Sequence, residues 1–279
     1  MSTATLPTPV KSSPAPTSKP DGFFHWNRAE FVYTPFPFGV ISDVLDPQFY
    51  KALAAEWPSQ DLFVFKENLG RKYSLSEVNN GEGYLRFLRG NRVWGEFYRR
   101  LKSPEFVREV LQMLCDQNID LGLANKPISA IHALSTPRER LSGAVTKLAR
   151  LRSTEASLSS RFEFSMLPAA GGHIKPHTDA PQKLITLVFS IIGENEWRRD
   201  WGGGTAMLQT HEPSLAFNHM NRQADFSRFE PISVVEFVPN QCLIFIKTFN
   251  SWHTVYPMTG PADAPMRKTL TINIERWGG

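Results

Sequence analysis

Apolar residues recur every three to four positions in the first half of the chain and every second position in the last 120 residues. The first pattern predicts amphipathic helices and the second half-buried strands. Asp46-Pro47 reads as an N-cap and first helical position, with Phe49, Leu53 and Trp57 following at four-residue steps until Pro58 stops the helix. Asn91 caps a predicted helix running through Lys102, with Val93, Phe97 and Leu101 on one face. Ser103-Pro104 opens another, carrying Val107, Val110, Leu111 and Leu114. Thr136-Pro137 opens a third, with Leu141, Ala144, Leu148 and Leu151 facing inward. Ahead of these, Phe31-Val32-Tyr33 and Phe38-Gly39-Val40-Ile41 read as short strands separated by prolines, and residues 60–90 as loops with short strands.

From Arg161 the alternation predicts eight strands, over 161–168, 172–177, 183–192, 203–209, 232–238, 241–247, 252–257 and 267–275. Turn signals such as Gly202-Gly203-Gly204, Pro239-Asn240 and Gly260-Pro261 separate most of them. Eight short strands after a helical region predict an α+β fold: a double-stranded β-helix (jelly-roll) barrel with N-terminal helices packed on its outer face. The expected organisation is a disordered tail over 1–20, rich in Ser, Thr, Pro and Ala. A mixed, mainly helical region over 21–160 and a barrel core over 161–279 follow it.

Composition narrows the class. Hydrophobic residues make up 41% and aromatics 12%, as in globular proteins, and the formal charge of +4 is too mild for a dedicated nucleic-acid binder. The two cysteines, Cys115 and Cys242, lie far apart and form no zinc-type spacing, which favours a reducing, cytoplasmic setting. No apolar run approaches the roughly 18 residues of a membrane span. The basic stretch 137–152 is expected to be a solvated helix face, with docking of an acidic partner as the alternative.

The chemistry gathers in Gly171-Gly172-His173-Ile174-Lys175-Pro176-His177-Thr178-Asp179. On an extended chain His177 and Asp179 point to the same side, and a third ligand would complete a two-histidine, one-carboxylate face with positions left open, which suits iron(II). With seven histidines and ten aspartates in the chain, a His-x-Asp arises by chance roughly 0.25 times, so the pair needs support from elsewhere. His253, in Ser251-Trp252-His253, opens the seventh predicted strand and is the strongest candidate third ligand. The last strand adds a second signal. Leu270, Ile272 and Ile274 form one face, and Arg267, Thr269, Thr271 and Asn273 form the other. A polar inner face headed by an arginine is expected where a barrel holds a small carboxylate, because guanidinium and carboxylate pair as a fork.

In that order, His177-x-Asp179, His253 and Arg267-x-Thr269 resemble the 2-oxoglutarate- and iron(II)-dependent oxygenase superfamily. The wording Lys-Pro-His-Thr-Asp and Ser-Trp-His is most similar to its prolyl 4-hydroxylase-like branch. The resemblance implies a dioxygenase, acting as a hydroxylase on a small-molecule or peptidyl substrate, that oxidatively decarboxylates 2-oxoglutarate to succinate. His177, Asp179 and His253 would be the Fe(II) ligands. Arg267 would bind the distal carboxylate of 2-oxoglutarate with help from the Thr269 hydroxyl. The implied cofactor set is Fe(II), 2-oxoglutarate and O2, with ascorbate as an optional addition. Two positions depart from the branch: collagen-type enzymes use Lys where Arg267 stands, and Ser165 or Leu167 occupies the place of a first-strand Tyr.

Two other readings stay open on sequence. A metal-binding cupin-type enzyme using no 2-oxo acid would keep the triad without needing Arg267, and a non-catalytic jelly-roll binding module would need neither. His173 is expected near the site or facing solvent, while Lys183, His211 and His219 carry no assignment. The polar segment 211–231 reads as a substrate lid, with Asn218, Asn221, Arg222 and Arg228 as contacts. Substrate identity and oligomeric state are not legible.

Overall fold

The computed structural model describes residues 23–128 and 157–277. The tail over 1–20 and the basic stretch 137–152, with the third predicted helix, lie outside the described residues. Four α-helices are present among them: α1 (Pro47–Ala55), α2 (Gly81–Gly90), α3 (Arg92–Leu101) and α4 (Pro104–Asp116). The predicted caps form. Asp46 accepts from the amides of Gln48 and Phe49, Asn91 from Trp94, and Ser103 from Phe106, each satisfying N–H groups that have no partner within the helix. Helix α2 was not anticipated, because Gly81, Gly83 and Gly90 break up its pattern. It is held instead by an Asn80 cap and by Tyr84 and Leu88, which stand one turn apart and are both buried.

The strands are β1 (Ala29–Val32), β2 (Phe38–Ser42), β3 (Val64–Lys66), β4 (Lys72–Ser76), β5 (Ser157–Leu167), β6 (Ile174–His177), β7 (Lys183–Ser190), β8 (Thr205–Gln209), β9 (Glu230–Val235), β10 (Gln241–Ile246), β11 (His253–Val255) and β12 (Arg267–Trp277). They form two sheets, ordered β1-β2-β10-β7-β12-β5-β4-β3 and β6-β11-β8-β9. The last eight strands divide equally between them, with β5-β12-β7-β10 in one sheet and β6-β11-β8-β9 in the other. That arrangement is the double-stranded β-helix. Strands β1 to β4 lengthen the larger sheet at both flanks, so residues on either side of α1 share its hydrogen bonding with the barrel.

Alternation in the larger sheet decides what lies on each side. Leu270, Ile272 and Ile274 are fully buried in the principal core with Trp94, Phe97, Phe106 and Val110 of α3 and α4, so the helices cover the outer face. Burying a large side chain there contributes about 1.5–3 kcal/mol. Trp57, just beyond α1, stands edge-on to Trp94 and Phe164 at 5.6 and 5.2 Å. The inner face carries Ser165, Thr186, Arg267, Thr269 and Asn273, all buried. A small apolar cluster of Phe36, Phe38, Met207, Val235, Leu243 and Phe245 fills the gap between the sheets at one side. The rest of the gap is a cavity. No helix among the described residues is long and apolar enough to cross a membrane. Both cysteines are free, Cys115 exposed and Cys242 buried.

Candidate metal centre

His177 ends β6 and His253 begins β11, and the two residues are direct partners in the small sheet. Their ring centroids lie 4.2 Å apart. Asp179 reaches them by a different route from the one the sequence pattern suggests. The strand stops at His177, and Asp179 adopts φ 69°, in the left-handed region, which aspartate enters more readily than most residues. That turn, rather than strand alternation, brings the carboxylate to the imidazoles. One ligand atom from each of His177, Asp179 and His253 falls within 4.8 Å of the others.

The donor set fits a metal ion. His177 Nδ1 lies 2.9 Å from the Lys175 carbonyl and His253 Nδ1 lies 3.0 Å from that of Ser251. A carbonyl only accepts, so each Nδ1 carries the proton and each Nε2 keeps its lone pair for a ligand. Burial holds both imidazoles neutral: it lowers His253, and with the neighbouring His253 it lowers His177 to about 3. Burial alone would raise Asp179, but the Lys183 ammonium overcomes that and holds its carboxyl well below the usual range. Lys183 Nζ lies 2.7 Å from Asp179 Oδ1, and Thr186 Oγ1 donates to Oδ2 at 2.9 Å. Thr186 is in turn 3.0 Å from Asn273 Oδ1.

The triad opens on a cavity of about 290 Å³ whose far wall includes Arg267, Thr269 and Thr271 of β12. Arg267 is 4% exposed and faces no carboxylate among the described residues. Its Nε donates to Gly203 O at 2.5 Å, and its guanidinium carbon lies 4.8 Å from the Phe237 ring centroid. Burial lowers its pKa to about 10, so it stays charged at neutral pH. Gly203 has φ 87°, and a Cβ there would meet Trp197 at 2.9 Å. The predicted turn is therefore the seat of the arginine. Lys268, its neighbour, is absent from the cavity wall. Ser165 pairs with Thr269 across β5 and β12, and its buried Oγ has no hydrogen-bond partner among the described residues.

Most other sequence candidates fall outside the site. His173 precedes β6, its Nδ1 is 3.0 Å from Gly171 O, and its ring stands edge-on to Phe226. In the segment 211–231, Asn221 lines the cavity together with Gln223. Asn218 instead braces the loop through both backbone groups of Arg222, and Arg228 pairs with Glu212. Lys183 and Thr186 carried no sequence signal as neighbours of a metal ligand. Lys72 was equally silent: it arrives from β4, where its ammonium lies 2.7 Å from Glu163.

No protein-family model matches the sequence, and no curated protein matches it. Comparison of the folds returns members of the superfamily that the sequence resembles. A Pseudomonas putida prolyl-4-hydroxylase matches over 86% of this chain and 92% of its own, at 15% identity and a TM-score of 0.43. The non-heme alpha-ketoglutarate-dependent epimerase SnoN from nogalamycin biosynthesis matches over 90% and 78%, at 10% identity and 0.42. An oxidoreductase of the 2OG-Fe(II) oxygenase family from Burkholderia pseudomallei matches over 90% and 74%, at 12% and 0.30. Matches this distant fix neither reaction nor substrate, and the architecture rests on the strand order itself.

Proposed function

We propose that this protein is a 2-oxoglutarate- and Fe(II)-dependent dioxygenase that hydroxylates a small-molecule or peptidyl substrate. One observation carries the reading: a neutral-His, carboxylate, neutral-His triad and a buried arginine with no acidic partner among the described residues face one cavity. An isolated buried cation is costly, and a dianionic oxo acid would offset that cost. His177 and His253 would hold iron through Nε2, and Asp179 through its carboxylate. Bound iron(II) supplies activation of dioxygen coupled to oxidative decarboxylation of the oxo acid.

The remaining work belongs to the chain. Arg267 and Thr269 anchor the distal carboxylate, and the orphaned Ser165 hydroxyl stands beside Thr269 to donate to the same molecule. Lys183 and Thr186 fix the Asp179 carboxylate from opposite oxygens. Phe245, whose ring lies 4.4 Å from that of His253, and Val188 exclude water from the centre. The test is 2-oxoglutarate consumption and succinate release by purified protein, with and without Fe(II) and oxygen. Turnover of neither under anaerobic reconstitution and aerobic assay refutes it. Stoichiometric metal binding without any effect of 2-oxoglutarate points instead to a cupin-type enzyme.

A further inference from the structure

Charge around the cavity is strongly one-sided. Lys72, Lys175, Lys183 and Arg267 line it, against Asp179 as the sole carboxylate among the described lining residues. Resting on the reading above, a divalent ion, Asp179, an oxo-acid dianion and Arg267 balance one another. Lys183, which contacts Asp179, adds one positive charge beyond that balance. Lys72 is paired with Glu163, whereas Lys175 adds a second uncompensated charge.

These two lysines share one stretch of rim. The loop before β4 is fastened to the loop before β6 by the His173 amide, which donates to Gly70 O at 3.1 Å. Gly70 has φ 72°, and a Cβ there would fall 1.8 Å from His173 O, so only glycine allows this approach. The junction joins the segment that carries Leu69 and Lys72 to the one that carries Lys175, and all three line the cavity. On the other side of Lys175, the Ala224 amide donates to Pro176 O at 3.1 Å, which brings Asn221 and Gln223 to the same rim. Asn221 Oδ1 is buried with no partner among the described residues. Its Nδ2, which has no such burial, is the end of the amide left to donate. Lys175 is exposed and makes no ion pair among the described residues.

We infer that this rim, formed by Lys72, Lys175, Asn221 and Gln223, binds a compact anionic group on the substrate, either a phosphate monoester or a carboxylate. The lysines supply point charges and the amides directional donors, with Leu69 offering apolar contact to the adjoining carbon chain. A cationic or neutral substrate would leave Lys175 uncompensated beside it, since Lys72 already has Glu163.

The experiment is calorimetric titration of the full chain at low ionic strength, with saturating 2-oxoglutarate to fill the Arg267 end. The probes are phenyl phosphate, phenylacetate and benzylamine, which match in size and differ in charge. At least one anion should bind and benzylamine should not, and the tighter anion identifies the source of the charge. Lys175→Gln should weaken anion binding about tenfold, the loss of one charge-assisted contact. Because Lys72 also serves Glu163, Lys72→Gln is paired with Lys72→Arg, which should keep binding, and circular dichroism checks the fold of each. Binding of neither anion, equal binding to wild type and Lys175→Gln, or preference for benzylamine would overturn the assignment. Lysine-dependent anion binding without 2-oxoglutarate turnover would keep this site and remove the oxygenase reading; turnover without anion binding would do the reverse.

Discussion

His177 and His253 are cross-strand partners in the small sheet, ring centroids 4.2 Å apart, each with Nδ1 tied to a carbonyl two residues earlier in its own chain segment. Both rings are thus oriented by backbone before any ligand arrives. His253→Ala should lose stoichiometric Fe(II) binding, read by anaerobic titration. Retention of full affinity by this variant would remove His253 from the centre.

Arg267 and Lys268 are adjacent cations on opposite faces of β12. Losing a desolvated ion pair costs on the order of 2–5 kcal/mol, so Arg267→Ala should raise the 2-oxoglutarate KM by about 30-fold or more. Lys268→Ala should leave KM near its wild-type value. Addition of 2-oxoglutarate should also raise the melting temperature of wild type and not of Arg267→Ala, a readout independent of turnover.

Lys183 neutralises a carboxylate that burial would otherwise penalise. Lys183→Met should destabilise the metal-free protein by roughly 3 kcal/mol, because Asp179 then stays buried with only Thr186 as partner. Metal should recover part of that loss. The metal-induced rise in melting temperature should therefore be larger in the variant than in wild type. An equal or smaller rise would show that Lys183 does not compensate Asp179.

Lys247 donates to Thr178 Oγ1 at 2.9 Å, and burial lowers its pKa to about 8 despite the attraction of Asp179. Between pH 8 and 10.5 the unfolded chain keeps this proton while the folded chain has released it. Folding is therefore favoured more as pH rises through that window, and the stability given up to the buried charge lies below it. Urea midpoints of wild type and Lys247→Met, both metal-free, should diverge in favour of wild type from pH 8 to 10. Parallel profiles would mean that Lys247 titrates normally.

The face each side chain takes in the barrel was legible, because period two is unambiguous over Arg267 to Glu275 and needs no knowledge of neighbours. The helices opened by Asp46, Asn91 and Ser103 were legible for the same local reason. Helix α2 was not, since three glycines in ten residues hide an amphipathic face that tertiary packing rescues. Nor was the turn at Asp179, where the dihedral angle rather than the spacing delivers the carboxylate. Lys183 and Lys72 stayed silent for another reason: a lysine's importance here lies in which carboxylate folding sets beside it, and alternation says nothing about partners across a sheet.

The attachment of β4 to β5 divides labour along the chain. The triad and Arg267 all come from residues 177–267, whereas Leu69, in the loop before β4, and Lys72, which opens β4, precede three of the four described helices. Substitutions in the loop before β4 can therefore redraw the cavity's outer rim without displacing a single group at its centre. Part of the rim is thus encoded apart from the candidate centre, so a lineage carrying this scaffold can vary what enters the cavity while the triad is inherited intact.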